Sequence, residues 1–231
     1  MKPTIPEEKI ASDQILDVKF DQNDFSNSFL EKSRFSLLFS QSIVDIFKRD
    51  EKEIKNILKD KKVRLEIDYN ERILHIRTTT KTRDPFIIIE CKNFLDLIIR
   101  GVPYKEAKKI FQNNFTHIIF NLKSIVYDKK VLFNRRDRLI GKEQSILKGL
   151  RMLTDCFIQI EKKSVCAIGP YNKILIIEEF IQKSMENYHP VHLMKQLIAK
   201  SECQTDQNKK DMDWTNFIPK VTKKTNKKQQ K

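Results

Sequence analysis

From Ser40 onward apolar residues recur at a helical interval: Ile43, Phe47, Ile54 and Leu58 share one face, with Lys and Glu between them. The period then drops to two. Val63-Arg64-Leu65-Glu66-Ile67-Asp68-Tyr69 alternates apolar and charged residues, Asn70-Glu71 supplies a turn, and alternation resumes from Ile73 to Arg77, which predicts a β-hairpin. Asp84-Pro85 opens a helix well. The aspartate can cap exposed amides, and the proline suits the first helical position, where its missing N–H loses no bond. Ile88, Leu95 and Ile99 give that helix an apolar face, and Gly101 suits a left-handed end. Val102-Pro103-Tyr104 restarts a short amphipathic helix through Phe111.

The second half reads as strand, basic helix, turn, helix, strand, strand and long helix. Thr116-His117-Ile118-Ile119-Phe120 is the first strand, and Ile146, Leu150 and Leu153 form a buried stripe on the helix after Gly141. Phe157-Ile158-Gln159-Ile160 and Ser164-Val165-Cys166-Ala167-Ile168 are strands joined by Glu161-Lys162-Lys163. The last long helix spans about 172–188, with Ile174, Ile177, Ile181 and Met185 on one face and His189-Pro190 as its stop. Residues 1–30 are polar and proline-bearing, as an extended arm would be. The last twelve residues hold six lysines and no acid, so they cannot build a core.

Composition narrows the partners. The 231 residues carry a formal net charge of +14, with 33% charged and 39% hydrophobic residues. A surplus of that size favours an extended polyanion, because each lysine or arginine set against a phosphate releases condensed counterions. No apolar run approaches the roughly 20 residues needed to cross a bilayer, so no membrane partner is expected. Cys91, Cys156, Cys166 and Cys203 show no metal-ligand spacing and read as reduced thiols of a cytosolic or nuclear protein. His75, His117, His189 and His192 are scattered, and no phosphate-binding glycine loop or nucleophile elbow occurs. The expectation is a non-enzyme with no cofactor, no metal and no catalytic residues.

The order β-α-loop-α-β-β-α over 116–188 is that of a eukaryotic-type KH domain, which holds about four nucleotides against a Gly-x-x-Gly loop between its first two helices. Here the loop reads Gly141-Lys142-Glu143-Gln144. Gly141 therefore has two readings, a close approach for a sugar–phosphate backbone or an ordinary helix cap.

Several runs, in order, carry a more specific resemblance. Thr78-Thr79-Thr80-Lys81-Thr82-Arg83-Asp84-Pro85-Phe86-Ile87-Ile88-Ile89, Arg135-Arg136-Asp137-Arg138-Leu139-Ile140-Gly141, Ser164-Val165-Cys166-Ala167-Ile168-Gly169-Pro170, Asn187-Tyr188-His189-Pro190 and Trp214-Thr215-Asn216-Phe217-Ile218-Pro219 resemble the KRR-R motif-containing family. Its members are KH-domain assembly factors of the small-subunit processome. The resemblance runs from about Ser33 to the lysine tail. It implies an α+β chain of tandem KH-like modules, the first divergent and without a glycine loop, the second a type I KH domain of order βααββα. The expected layout is a flexible N-terminal arm over 1–35, a divergent module over 36–114, a KH domain over 115–200 and a basic C-terminal tail over 201–231.

The resemblance further implies a nuclear, nucleolar RNA-binding role in pre-rRNA processing and 40S subunit biogenesis. Pre-ribosomal RNA would be one partner, and other assembly factors, met through the first module, the rest. Arg135, Arg136, Arg138, Gly141, Lys142 and Lys148 are the expected RNA contacts, supplying position and affinity rather than base specificity. Over 121–170 eleven Lys/Arg stand against five Asp/Glu. The chain departs from the family where its lysine before the arginine pair is Asn134, and where its loop proline and second glycine are Lys142 and Gln144.

Two alternatives remain. One is the related KH factor of late small-subunit maturation, which would keep an intact glycine loop. The other is a protein–protein adaptor that has lost RNA contact, for which Glu143 and Gln144 speak. The lysine tail fits RNA or nucleolar retention, and Trp214 with Phe217 could stack on bases but better fits a pin for the chain end.

Overall fold

The computed structural model describes residues 31–205 and 218–221. These divide into two compact units, with the break between Asn93 and Phe94. Along the chain the same pattern occurs twice, a strand, helix, two strands and a helix, the second time with a second helix after the first strand and another at the end.

In the first unit β1 (Arg34–Leu38) leads through a 3-10 turn, Gln41–Ile43, into α1 (Val44–Asp60). Ile43, Phe47, Ile54 and Leu58, the stripe read from spacing, are all at most 2% exposed. The hairpin is β2 (Val63–Asp68) and β3 (Ile73–Thr78), and Asp68 Oδ1 closes its turn by accepting from the amides of Asn70 and Glu71 at 2.8 and 3.1 Å. All pairs are antiparallel in the order β1-β3-β2. Leu74 on central β3 is flanked by Leu37 and Ile67, and Ile76 by Phe35 and Leu65. Both central residues are fully buried. Burial of that kind contributes about 2 kcal/mol per side chain.

β1 was not foreseen from the sequence. It starts at Arg34, inside the segment read as an arm, and residues 1–30 lie outside the described residues. Every β1 side chain is half-buried or exposed, and Leu38 is 74% exposed. Arg34-Phe35-Ser36-Leu37 does alternate, with Phe35 and Leu37 half-buried beside Ile76 and Leu74, but the run is short and ends in Leu38, which breaks the alternation.

The threonine-rich run after β3 forms a clasp. Thr79 and Thr82 hydroxyls both donate to the Lys62 carbonyl, at 2.8 and 2.6 Å, and the Thr79 amide donates to Thr82 Oγ1 at 3.0 Å. Asp84 accepts from the Phe86 amide at 2.8 Å, one residue ahead of the following helix, so it orders the entry and not the helix's own first amides, and Pro85 does not take the first helical position. That helix, α2 (Ile87–Ile99), begins two residues after Pro85 and ends at Gly101, whose φ of 84° is left-handed. The break between the two units falls within α2.

In the second unit α3 (Tyr104–Ala107) continues as a 3-10 turn, Lys108–Phe111, into β4 (Phe115–Asn121). Then come α4 (Lys129–Ile140), α5 (Ser145–Thr154), the hairpin β5 (Phe157–Glu161) and β6 (Ser164–Pro170), and α6 (Tyr171–Met185). The sheet order is β4-β6-β5, again with the last strand central. Val165 and Ala167 of β6 are buried with Leu132, Leu139, Leu147, Leu150, Ile174, Ile177, Ile181 and Met185 from the helices.

Two helix readings are corrected. On α5 the fully buried positions are Leu147, Leu150 and Thr154, whereas Ile146 and Leu153 are half-buried. Thr154 fits there because its hydroxyl donates to the Leu150 carbonyl at 2.7 Å. Pro190, read only as a stop, also opens a further helix, α7 (Pro190–Thr205), packed against α5 and α6. A first-turn proline sacrifices no helical hydrogen bond. Five of the six tail lysines, with Trp214 and Phe217, lie outside the described residues, whereas Lys220 is exposed and Val221 packs against the core of the second unit.

Candidate nucleic-acid interface

The six candidate residues sit on α4, the turn after it and α5. Asp128 starts α4 by accepting from the Lys130 amide at 2.9 Å, and Gly141 ends it, its amide donating to the Asp137 carbonyl at 3.0 Å. Gly141 has φ 75° and ψ 171°, a region essentially reserved for glycine. A Cβ there would lie 2.9 Å from Ile146 Cγ1 and 3.1 Å from the Ile146 amide nitrogen. The cap reading of Gly141 therefore rests on the backbone itself, whatever the loop binds.

Glu143 (φ 52°, ψ 31°) and Gln144 (φ 62°, ψ 23°) are both left-handed. The position where the family has its second glycine thus keeps glycine-like backbone while carrying a glutamine. Restoring the glycine, Gln144→Gly, is expected to stabilise the domain by about 1 kcal/mol, seen as a melting temperature about 2–4 °C higher. No change, or a fall, on thermal denaturation would contradict this account of the loop.

The three arginines are turned inward. Arg135 Nη1 donates to the Met185 carbonyl at the end of α6, and burial followed by the charge of Arg138 pushes the Arg135 pKa down. Arg136 Nη1 donates to the Lys162 carbonyl in the β5–β6 turn at 3.1 Å, its Nη2 reaches Asp137 Oδ1 at 2.8 Å, and its guanidinium lies 4.8 Å from the Phe133 ring centre. Arg138 Nη2 donates to Asn187 Oδ1 at 3.2 Å and its Nε to the Asn134 carbonyl at 3.3 Å. Two runs that carried the resemblance are thereby joined: the arginine run holds the Asn187-Tyr188-His189-Pro190 turn that leads from α6 to α7.

Lys142 and Lys148 differ from the arginines. Both are exposed, and neither takes part in an ion pair among the described residues. α5 starts beside them with no side-chain cap on its first amides and no acid in its first turn. A helix N-terminus of that kind favours an anion. Glu143 stands exposed in the same loop and offsets part of that field.

Sequence reasoning missed Arg151. Its Nε donates to the Ile158 carbonyl on edge strand β5 at 3.2 Å, its Nη2 reaches the same oxygen, and the guanidinium lies 5.3 Å from the Phe157 ring centre. Nothing in the local sequence marks it, since its acceptor lies on another element. The described residues hold no group of three His, Cys, Asp or Glu able to bind a metal ion, and no helix among them is long and apolar enough to cross a membrane. All four cysteines are unpaired and buried.

This architecture has solved relatives. A protein of unknown function from Aeropyrum pernix, 15% identical, matches with a TM-score of 0.67 over 79% of this chain and 97% of its own. From Pyrococcus horikoshii, the a/eIF2alpha–aDim2p–rRNA complex supplies a chain 20% identical, with a TM-score of 0.65 over 75% of this chain and 96% of that one. Dim2p from the same organism, also 20% identical, gives 0.58 over 66% and 90%. At these identities they establish the fold alone, and the family models name it as two tandem KH domains. The Krr1 KH1 domain matches residues 33–113, and the second KH domain of the KRR1 small subunit processome component matches residues 115–205. With both domains matched in that order, the chain belongs to the family of the KRR1 small subunit processome component.

Proposed function

We propose that the protein is a non-catalytic RNA-binding factor of ribosome assembly, acting in pre-rRNA processing and 40S subunit biogenesis in the nucleolus. The observation that carries this is the second KH domain itself, whose loop sets Lys142, Lys148 and the uncapped start of α5 toward solvent. The family membership and a structural neighbour solved with rRNA support it. In this reading Lys142 and Lys148 meet phosphate directly and Gly141 shapes the loop. Arg135, Arg136 and Arg138 contribute mainly by holding α4 and by their long-range field, because their donors already serve protein oxygens. Other assembly factors dock through the first KH module, which has no glycine loop. The layout is an N-terminal arm, two KH modules and a basic tail that adds nonspecific affinity.

The test is crosslinking in cells, with the bound RNA mapped, for the parent and for Lys142→Glu combined with Lys148→Glu. Reversing two exposed cations leaves the fold intact and is expected to lower small-subunit precursor crosslinks about tenfold. Unchanged crosslinks would remove the loop from the RNA interface. A second reading is favoured by one observation, the exposed Glu143 beside Gly141: a KH adaptor that binds proteins only. It requires that the parent itself crosslinks to no precursor RNA.

A further inference from the structure

Between β4 and α4 the backbone is fixed at several points. Leu122 and Val126 are buried, and the Val126 amide donates to the Leu122 carbonyl at 3.1 Å. Asn121 Oδ1 accepts from the Lys123 amide at 3.2 Å, and Asp128 Oδ1 from the Lys130 amide. On this held backbone Tyr127 stands 85% exposed. Lys123, Lys129 and Lys130 are exposed as well, and the single acid in residues 121–130 is Asp128, whose carboxylate is the helix cap.

The lysines are placed against the needs of folding. Lys129 and Lys130 open α4, whose first turn contains no acid. The positive end of a helix dipole disfavours cations there, so an unliganded domain would be more stable with acids in their place. What the arrangement does suit is a polyanion with flat faces. The tyrosine ring offers a stacking surface that every base can use, and the neighbouring ammonium groups offer positive charge for phosphate. A lipid surface would demand further apolar side chains, and Tyr127 is the one exposed large hydrophobic in this stretch.

We propose that the β4–α4 loop is a second RNA contact. Tyr127 stacks on one unpaired base of a single strand, and Lys123, Lys129 and Lys130 hold the phosphates beside it. The inference rests on the RNA-binding reading above and extends it to the opposite end of α4. That helix has twelve residues and is about 18 Å long, so the two contacts engage separate nucleotides of one strand.

The experiment titrates a fluorescein-labelled 12-nucleotide oligouridylate with the full chain and follows anisotropy over a range of salt. Tyr127→Ala is expected to weaken binding about fivefold or more with the salt slope unchanged, and Tyr127→Phe to bind as the parent does. Lys129→Glu with Lys130→Glu is expected to flatten the slope of log affinity against log salt by about 1.4. The same double variant is expected to melt about 2–4 °C higher, a gain in stability opposite in sign to the loss of affinity. Binding by Tyr127→Ala within twofold of the parent, while the Lys142/Lys148 variant is weakened, would overturn the second contact and leave the proposed function standing. A parent that does not bind the oligonucleotide at all overturns both.

Discussion

Gly141→Val is expected to lower the melting temperature by about 6–12 °C, the counterpart of about 3 kcal/mol. Two penalties combine. The φ of 75° with ψ of 171° admits essentially glycine alone, and a β-branched side chain would meet Ile146, whose Cγ1 is already 2.9 Å from the first added carbon. To relax, the residue must move toward an ordinary φ, which pulls its amide from the Asp137 carbonyl and shifts the start of α5. Thermal denaturation followed by circular dichroism measures this, and a valine variant melting within about 1 °C of the parent would show the position to be unstrained. Loss of RNA binding by such a variant says nothing of phosphate unless the folded fraction is measured alongside.

Arg135→Ala carries the second large effect, about 2 kcal/mol or a fall of about 4–8 °C. The variant deprives the Met185 carbonyl, at the negative end of α6, of its cationic donor. The gain is reduced because Arg135 Nε has no hydrogen-bond partner and burial already disfavours the charge. Two kcal/mol is therefore set toward the lower end for a bond to a charged group. Arg135→Lys keeps a donor but not the planar fork, and should recover part of the loss. The expected signature is reduced stability with RNA affinity per folded molecule close to that of the parent. Arg135→Ala with full stability and lost affinity would return this arginine to the RNA surface.

The contrast with Lys142 and Lys148 shows which part of the site a sequence can display. Both lysines follow from their place beside the loop, and nothing folds back on them. The arginines are equally visible as charge, but their acceptors are Met185, Lys162 and Asn187, which are 50, 26 and 49 residues away. Local pattern carries no trace of such partners. Secondary structure follows the same division. The β2–β3 hairpin and the α1 stripe were legible because each has a long, well-buried face, whereas β1 is a short edge strand whose inner face, Phe35 and Leu37, is only half-buried, and α7 begins at a proline that also ends the segment before it. The left-handed Gln144 was invisible for a different reason: glutamine does not advertise a positive φ as glycine does.

The Arg151 bracket has a consequence for the protein outside any particle. In the order β4-β6-β5, β5 closes one side of its sheet with no further strand among the described residues, and it contains Ile158 and Ile160. A naked edge of that composition is a template on which a second copy could pair, and such pairing is the first step toward insoluble aggregates. By occupying the Ile158 carbonyl from α5, and covering Phe157 with the same guanidinium, Arg151 removes an acceptor such pairing would use. One side chain on α5 thus fills a backbone acceptor that an incoming strand would need, and makes β5 a poorer template for a second copy.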